Sequence, residues 1–382
     1  MSALRRLILL TGAVCSISAA PPPVVVGTDY TPQDKDERGL WMQMDEYERD
    51  LKNSNFVIRD PALNAYVRGV FCGTVGQAEC KNVRMYITRT PYFNASMAPN
   101  GLMEVNSGLF LRTRNEAQLA AILGHEFTHY RNRHSLQFFR DAKKKLGTLQ
   151  FLALLDGGLF TGLATIGALM QNSREMEAEA DAGSVPMMIS ARYDPHEASH
   201  VWEQLRAEMD ATAVARNKKS RKDKNGGIFA SHPPTAERMT TLKALADKTP
   251  GAADANNRRA EYIQALAPFW ADFVDDQIKL NDFGATEFLL ISLANEGWTP
   301  ELNYARGELY RARGRPEDLP KAADFYRQAT AAPGAPLEAW RGLGLALLRS
   351  GVADEGKAAL KTYLVKRPDA SDKAMIAMLA GG

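Results

Sequence analysis

The sequence predicts an α+β fold that is mainly helical, with a small β-hairpin or sheet in its first third and α-helical repeats in its last third. Three observations predict it: apolar residues recur at helical spacing along 117–123, an Asn-Gly pair at 100–101 lies between strand-like segments, and Ala- and Leu-rich helices follow residue 255. The 382 residues suffice for two domains with separate cores. A hydrophobic content of 45% and a charged content of 24% are ordinary for a soluble globular protein.

Segment 1–20 has the layout of a secretory signal peptide. Arg5 and Arg6 precede an apolar run, and small residues continue through Ala20, after which we expect cleavage. A cut after Ser18 is the alternative. The segment therefore predicts export, most simply to a bacterial periplasm.

Three cysteines bear on the same expectation. Cys15 lies within the signal segment and leaves a lipoprotein open, although the residues before it depart from the usual lipidation motif. Cys72 and Cys80 would remain after export and could form a disulfide in an oxidising compartment. Two buried thiols are the alternative.

After a linker at 21–39, the first regular feature with a clear signature is a strand pair. One strand is predicted over Val83–Thr88, and a second runs through Val105 after the Asn100-Gly101 pair. Asn-Gly is the strongest short hairpin signal because both positions tolerate a positive φ. These residues predict a small hairpin ahead of the next helix.

That helix carries two histidines and an acid at functional spacing. Thr113, with Glu116 three residues later, predicts a capping box at its start. His125 and His129 are four residues apart, so both imidazoles lie on one helical face and can reach one cation. Glu126 lies beside them, where its carboxylate can accept a proton from water at that cation. The pattern is the zincin signature, with histidines that serve packing alone as the alternative.

A second helix, predicted over 173–183 from its Ala and Glu content, supplies further acids. A catalytic zinc site takes three protein ligands and leaves one position for water, so a third ligand has to come from elsewhere in the chain. Glu177 and Asp181 lie at i and i+4 and share one face, so Glu177 can bind the metal while Asp181 orients a ligand histidine. A solvated acidic face is the alternative.

These motifs, taken together with a later one, resemble a known family. His125-Glu126-x-x-His129, Glu177-x-x-x-Asp181 and His232-Pro-x-x-x-x-Arg238 resemble the M48 metallopeptidases, which are gluzincins. The resemblance covers about 40–245 and implies a zincin-type metallopeptidase domain at 40–250. It implies one Zn²⁺ per chain with the ligands His125, His129 and Glu177, the general base Glu126, the ligand-orienting Asp181, and two residues near the active site, His232 and Arg238.

The role of His232 stays open among three interpretations. It could donate to the oxyanion of a tetrahedral intermediate. It could be a fourth ligand that displaces the catalytic water and keeps the enzyme latent. It could also cap a helix that begins at Pro233. The remaining histidines, His134, His196 and His200, match no ligand spacing and are expected on the surface or in packing.

Two other segments bear on partners. Segment 146–170 is apolar and about as long as a membrane span, but Asp156 and several glycines interrupt it, which favours a soluble helical hairpin over insertion. Contact with a membrane surface stays open. The basic cluster 216–224 predicts a solvated loop. The net charge of +2 gives no argument for a nucleic-acid partner.

Residues 251–382 predict a tetratricopeptide-like helical repeat domain. Trp340, Gly344 and Tyr363 approximate the register of the roughly 34-residue repeat, and a preceding unit around 307–329 fits as well. Stacked repeats form concave surfaces that bind extended peptides or helices. Protein partners are therefore expected through this domain.

Predicted export and the resemblance together imply a periplasmic zinc metalloendopeptidase of envelope protein quality control, with misfolded or misassembled polypeptides as substrates. Strand 102–105 could pair with a substrate as an added strand. The alternative is a chaperone-like envelope assembly factor that acts through its repeats and has a latent protease site.

Overall fold

The computed structural model describes residues 30–146, 174–220, 232, 235–249 and 255–381. The predictions for the signal segment, for the apolar hairpin from residue 147 onward and for residues 221–224 of the basic cluster lie outside these residues. No helix in the described ranges is long and apolar enough to cross a membrane. The described chain is mainly helical with one small sheet, which confirms the predicted α+β class.

The α-helices are labelled in chain order over the described residues. Those before residue 250 are α1 (Lys35–Asn53), α2 (Pro61–Val75), α3 (Gln77–Cys80), α4 (Ser107–Phe110), α5 (Glu116–Arg131), α6 (His134–Leu146), α7 (Arg174–Ser190), α8 (Glu197–Ala215) and α9 (Ala236–Lys248). Those after it are α10 (Arg259–Leu266), α11 (Trp270–Ile278), α12 (Phe283–Leu293), α13 (Pro300–Arg313), α14 (Asp318–Thr330), α15 (Leu337–Arg349), α16 (Ala353–Lys366) and α17 (Lys373–Leu379). Short 3-10 turns are Ala267–Phe269 and Ala294–Glu296.

The sheet has the strand order β1 (Arg84–Thr88), β3 (Leu102–Asn106), β2 (Ala95–Met97). β2 and β3 form an antiparallel hairpin, and β1 pairs with β3 in parallel. The predicted Asn-Gly turn connects β2 to β3, and Gly101 has a φ of 85°, which favours glycine. Because β3 is paired on both sides, the prediction that strand 102–105 accepts a substrate strand is wrong. β2 lies at an edge of the sheet.

The start of α5 differs from the predicted capping box. Asn115 is the N-cap, and its side chain accepts a hydrogen bond from the Gln118 backbone N–H at 2.8 Å. The Gln118 side chain in turn accepts from the backbone N–H of Arg114 at 2.8 Å. The box predicted from Thr113 and Glu116 is therefore wrong, because an Asn-x-x-Gln pair two residues later satisfies the free N–H groups instead.

α5 is enclosed by its neighbours and lies very close to α7. The fifteen residues from Glu116 to Tyr130 are all buried. A Cβ at Gly183 of α7 would lie 2.5 Å from Cγ2 of Thr128 on α5, so the missing side chain allows this approach. α7 also continues beyond the predicted 173–183, to Ser190. The crossing places the acidic face of α7 against the histidines of α5.

The largest hydrophobic core extends past residue 250. Tyr262, Trp270 and Phe273 belong to the same cluster of buried side chains as the residues of α2, the sheet and α5. A buried ion pair of 2.7 Å between Arg112 and Glu208 lies nearby, and the side-chain oxygen of Gln277 accepts from Arg112 at 3.0 Å. Helices α10–α12 thus pack directly on the first half of the chain. The domain boundary at 250 stays a prediction.

Helices α13–α16 pack in sequence order, each against the next. The Tyr326 ring is fully buried between them, and a Cβ at Gly307 or Gly342 would lie within 2.6 Å of that ring. Two smaller cores lie among α13–α17. This helical region fits the predicted repeats, whose tetratricopeptide identity stays a prediction.

Cys72 near the end of α2 and Cys80 at the end of α3 form a disulfide. Of the two arrangements left open by the sequence, the chain has the cross-linked one. The bond ties α3 to α2 next to the start of β1, and so fixes one end of the sheet against the core.

Candidate active site

Four side chains from three separate parts of the chain converge on one point. His125, His129, Glu177 and His232 each offer one donor atom, and these atoms all lie within 4.8 Å of one another. The first three are the predicted ligands, which the fold brings together. Their role as ligands stays a prediction, and the donor atoms are close enough together that the group could hold one metal ion.

The two histidines of α5 form the base of the group. His125 and His129 are four residues apart on the helix, and their Nε2 atoms are 3.0 Å apart. Both side chains are buried, at 3% and 4% exposure. The helical spacing thus aims both Nε2 atoms at one place, as the sequence predicts.

Glu177 approaches from α7. Its Oε2 lies 3.5 Å from Nε2 of His125, and its Oε1 lies 3.4 Å from Nε2 of His129. Glu177 and Asp181 are both buried. The alternative of a solvated acidic face is therefore wrong, because the close α5–α7 crossing turns this face inward.

His232 is the fourth member. Its Nδ1 lies 3.0 Å from Oε1 of Glu177 and 3.3 Å from Nε2 of His125. α9 begins at Ala236, and the Thr235 side chain is its cap. The interpretation of His232 as a helix cap is therefore wrong, and the other two remain.

The donor set fits a divalent metal ion. Imidazole nitrogens combined with one carboxylate suit zinc and related transition metals, whereas calcium and magnesium prefer oxygen ligands. A carboxylate among three imidazoles in a buried site also supplies the negative charge that a cation balances. The group could thus hold such an ion, with His125, His129 and Glu177 as the predicted ligands.

The electrostatic surroundings of the group differ from one member to the next. Burial lowers the pKa of His129 to about 3. Burial opposes charge on His125 too, but hydrogen bonds with Asp181 and Glu177 outweigh it and raise the pKa to about 9. Burial alone would raise the pKa of Glu177, but the neighbouring His232 and His125 hold it well below its usual range. Glu177 is therefore ionised, as a metal ligand must be.

Glu126 lies beside the group without belonging to it. Its Oε1 is 3.4 Å from Nε2 of His232. Burial raises the pKa of its carboxyl group, while His232 and His125 oppose that shift. A carboxylate with a raised pKa is a stronger proton acceptor, which suits a general base.

Asp181 and Arg238 form a layer behind the group. The Nδ1–H of His125 donates to Oδ1 of Asp181 at 3.0 Å. Arg238 donates to both oxygens of Asp181, at 2.8 and 2.6 Å, and its Nη1 lies 3.0 Å from Glu177. The guanidinium stacks on Trp202, 3.9 Å from the ring centroid. Arg238 thus lies where the resemblance implies, one layer away from the predicted metal.

Two residues close to the group were missed in the sequence. His134 is buried, with Nδ1 2.7 Å from Nδ1 of His129 and Nε2 3.1 Å from Oε2 of Glu179. Of the two places expected for His134, on the surface or in packing, the structure has the packed one. Glu179 was available as a signal, because it lies two residues from Glu177, but helical spacing alone places it on another side of α7.

His196 and His200 lie apart from the group. His196 is bonded to Asp194 and Asp247, and His200 lies 3.5 Å from Glu197. Both are partly exposed. Their expected place outside the site is confirmed for the described part of the chain.

Comparison with known proteins assigns part of the chain to a family. Residues 73–246 match the sequence model of peptidase family M48, and this part of the chain is an M48 peptidase domain. The chain is 34% identical over 127 residues to the mitochondrial metalloendopeptidase OMA1 of Schizosaccharomyces pombe, which covers 32% of this chain and 37% of that protein.

Two beta-barrel assembly-enhancing proteases are also similar. That of Escherichia coli K12 is 26% identical over 173 residues, covering 41% of this chain and 36% of that protein. That of Yersinia pestis is 25% identical over 213 residues, covering 49% and 43%. The chain thus matches less than half the length of each of these relatives.

Proposed function

We propose that this chain, which carries an M48 peptidase domain, is a zinc-dependent metalloendopeptidase that hydrolyses peptide bonds of misfolded or misassembled proteins in the bacterial envelope. The observation that carries the proposal is the convergence of His125, His129, Glu177 and His232, with Glu126 beside them. The names of the beta-barrel assembly-enhancing relatives support a location in the bacterial envelope. The metallopeptidase names of the relatives support the reaction.

His125, His129 and Glu177 would hold the zinc ion. When bound, zinc supplies a Lewis acid and makes water more acidic. Glu126 accepts the proton of the attacking water on its carboxylate and delivers it to the leaving amine. Asp181 accepts from Nδ1–H of His125 and so keeps Nε2 of that ring directed at the metal.

The outer edge of β2 is the proposed place for the substrate backbone. β2 (Ala95–Met97) pairs with β3 on one side only, and it packs against α5. An extended peptide that adds to this edge is held mainly by its main chain, which tolerates varied sequences. Such tolerance suits an enzyme that recognises unfolded segments.

The direct test of the reaction is Glu126→Gln. The amide keeps the size of the side chain but cannot accept the proton, so hydrolysis of fluorescently labelled reduced casein should fall by at least about 100-fold. Zinc content, measured by elemental analysis, should stay at one ion per chain. The exposed Glu203 provides the matched control Glu203→Gln, which should retain activity. Hydrolysis retained by Glu126→Gln contradicts the assignment.

His232 is proposed as a fourth donor that closes the site. It contacts Glu177 and His125 as closely as the other donors contact one another. A full set of four protein donors leaves no position for water, so the site is latent until His232 moves.

His232→Ala distinguishes latency from oxyanion stabilisation. A latent site predicts faster casein hydrolysis by the variant, with unchanged zinc content. An oxyanion donor predicts a fall of about 100- to 1,000-fold instead. That fall would overturn the latency proposal while leaving the metallopeptidase assignment intact.

We propose that the protein is periplasmic and is exported by the predicted signal segment 1–20. The alternatives are a lipoprotein attached through Cys15 and a form that associates with the membrane through 146–170. The Cys72–Cys80 disulfide supports an oxidising compartment. The mass of the mature protein tests this. A chain that begins after Ser18 or Ala20 agrees, and an intact N-terminus contradicts it.

A second candidate function is that of an assembly factor. It is favoured by the row of packed helices α13–α16, which, if they form tetratricopeptide-like repeats, would bind partner proteins on their concave side. With His232 closing the site, binding through this row would be the resting activity. If the Glu126→Gln variant fully complements a strain from which the gene is deleted, this function is supported over hydrolysis.

A further inference from the structure

We propose that His134 and Glu179 position the ligand His129, so that each ligand histidine of α5 is oriented by its own carboxylate. The inference rests on the proposed metal site and extends it by two residues. His134 and Glu179 would be positioning residues that act on the metal through His129.

The contacts form a continuous line from the predicted metal position to the surface. Nε2 of His129 faces the donor group, 3.4 Å from Glu177. Its Nδ1 lies 2.7 Å from Nδ1 of His134. Nε2 of His134 lies 3.1 Å from Oε2 of Glu179, a side chain that is 60% exposed.

Hydrogen-bond chemistry gives this line one direction. A histidine that binds a metal through Nε2 carries its proton on Nδ1, so His129 is the donor toward His134. His134 must then accept on Nδ1 and carry its own proton on Nε2. That proton is donated to the Glu179 carboxylate, which can only accept. Every polar atom along the line is therefore satisfied in one arrangement.

The turn between α5 and α6 delivers His134 to this place. Asn132 is the C-cap of α5, and Arg133 has a φ of 59°, in the left-handed region. The chain therefore reverses within two residues, and the first residue of α6 comes back onto the last turn of α5. Glu179 also lies 3.5 Å from the Asn132 side-chain amide, so α7 contacts both sides of this turn.

The two ligand histidines are thus supported in different ways. His125 donates directly to Asp181, which is buried and fixed by Arg238. His129 reaches its carboxylate through one intervening imidazole, and that carboxylate is exposed to solvent. His134 bridges the distance between the buried ligand and the surface of α7.

The experiment measures zinc affinity by competition with a chelating dye, together with the visible spectrum of the Co²⁺-loaded protein. His134→Leu removes the acceptor, and zinc affinity should fall by about 10- to 100-fold. His134→Asn keeps an oxygen near the position of Nδ1 and should recover most of the loss. Glu179→Ala should show a smaller loss in the same direction, because water can replace an exposed carboxylate.

Matched controls separate positioning from folding. His200→Gln and Glu203→Gln are outside the line and should bind zinc like the wild type. Thermal unfolding of the metal-free proteins shows whether His134→Leu is folded, and Glu179→Ala tests the same line at an exposed residue. Unchanged zinc affinity in both His134→Leu and Glu179→Ala overturns the inference. Unchanged affinity in His129→Ala overturns the metal site itself.

Discussion

Arg238 is the residue on which the layer behind the site depends. It contacts Asp181 through two nitrogens, Glu177 through a third, and the Trp202 ring through its face. A planar guanidinium can make all of these contacts at once, which a lysine cannot. The charge that Arg238 supplies allows two buried carboxylates to lie within one site.

Sequence spacing was sufficient to predict which site residues share a helical face. His125 with His129, and Glu177 with Asp181, were predicted because the helix repeats about every 3.6 residues and the contacts follow from i and i+4. His134 was missed because its position depends on the left-handed Arg133, which reverses the chain. A backbone reversal changes which residues meet, and no periodic pattern records it.

Glu48 provides a pH-dependent contribution to stability away from the site. Burial alone would raise its pKa, but hydrogen bonds from Arg84, at 2.7 and 2.6 Å, and from Tyr86, at 2.8 Å, lower the pKa to about 2. The unfolded chain therefore takes up this proton near the ordinary pKa of 4.5, before the folded chain does. The contribution is present above that value and is lost as the pH falls from 4.5 toward 2.

We expect Glu48→Gln to lower the free energy of unfolding by about 2 kcal/mol at pH 7, because hydrogen bonds to a charged acceptor are lost. The difference from the wild type should shrink between pH 4.5 and 2. Urea unfolding at a series of pH values measures it, with the exposed Glu46→Gln as control. A difference that stays constant with pH contradicts the role of Glu48.

At the scale of elements, the site depends on how closely α5 and α7 cross. A Cβ at Gly183 would lie 2.5 Å from Thr128, whereas a Cβ at Gly124 would meet its nearest neighbours at an ordinary 3.5 Å. We therefore expect substitution by alanine to have different effects on stability at the two glycines, although both lie in helices of the same pair.

Gly183→Ala should destabilise the protein by about 1–3 kcal/mol, because the helices must separate to admit the methyl group. The separation moves Glu177 away from the histidines, so zinc affinity should fall as well. Gly124→Ala is the control and should be neutral or stabilising by up to about 1 kcal/mol. Equal effects of the two substitutions on urea unfolding argue against a tight crossing at Gly183.

Local elements were predicted better than their arrangement. The Asn100-Gly101 turn was found because its chemistry is local, and so was the helix over 116–131, with only its cap displaced. The parallel pairing of β1 with β3 was not predicted, because strand β2 lies between these two strands in the sequence. This pairing decides which strands lie at the edges of the sheet.

At the scale of the whole molecule, the helices after residue 250 are part of the first core. Tyr262, Leu266, Trp270 and Phe273 are buried against the peptidase domain. That core reaches Leu309 and includes no residue of α15–α17. Removing the C-terminal helices therefore has different consequences at different cut points.

We expect deletion of 255–382 to lower Tm by at least about 10 °C or to prevent folding. Each apolar side chain that loses its cover costs about 1.5–3 kcal/mol, and each kcal/mol shifts Tm by about 2–4 °C. Deletion of 333–382 removes α15–α17 and should leave hydrolysis of casein intact. Thermal unfolding and casein hydrolysis of both truncations check this. A stable, active chain ending at 254 contradicts the shared core.

The convergence of three distant segments makes a bound metal ion a cross-link of the polypeptide. An ion held by His129 and Glu177 closes a loop of 48 residues (177 − 129), and 55 residues separate Glu177 from His232. The entropy of closing such a loop depends only logarithmically on its length, so doubling the loop costs about 0.6 kcal/mol. Insertions between these anchors should therefore be tolerated, and the connecting segments are free to diverge in length while a bound ion would keep their ends together.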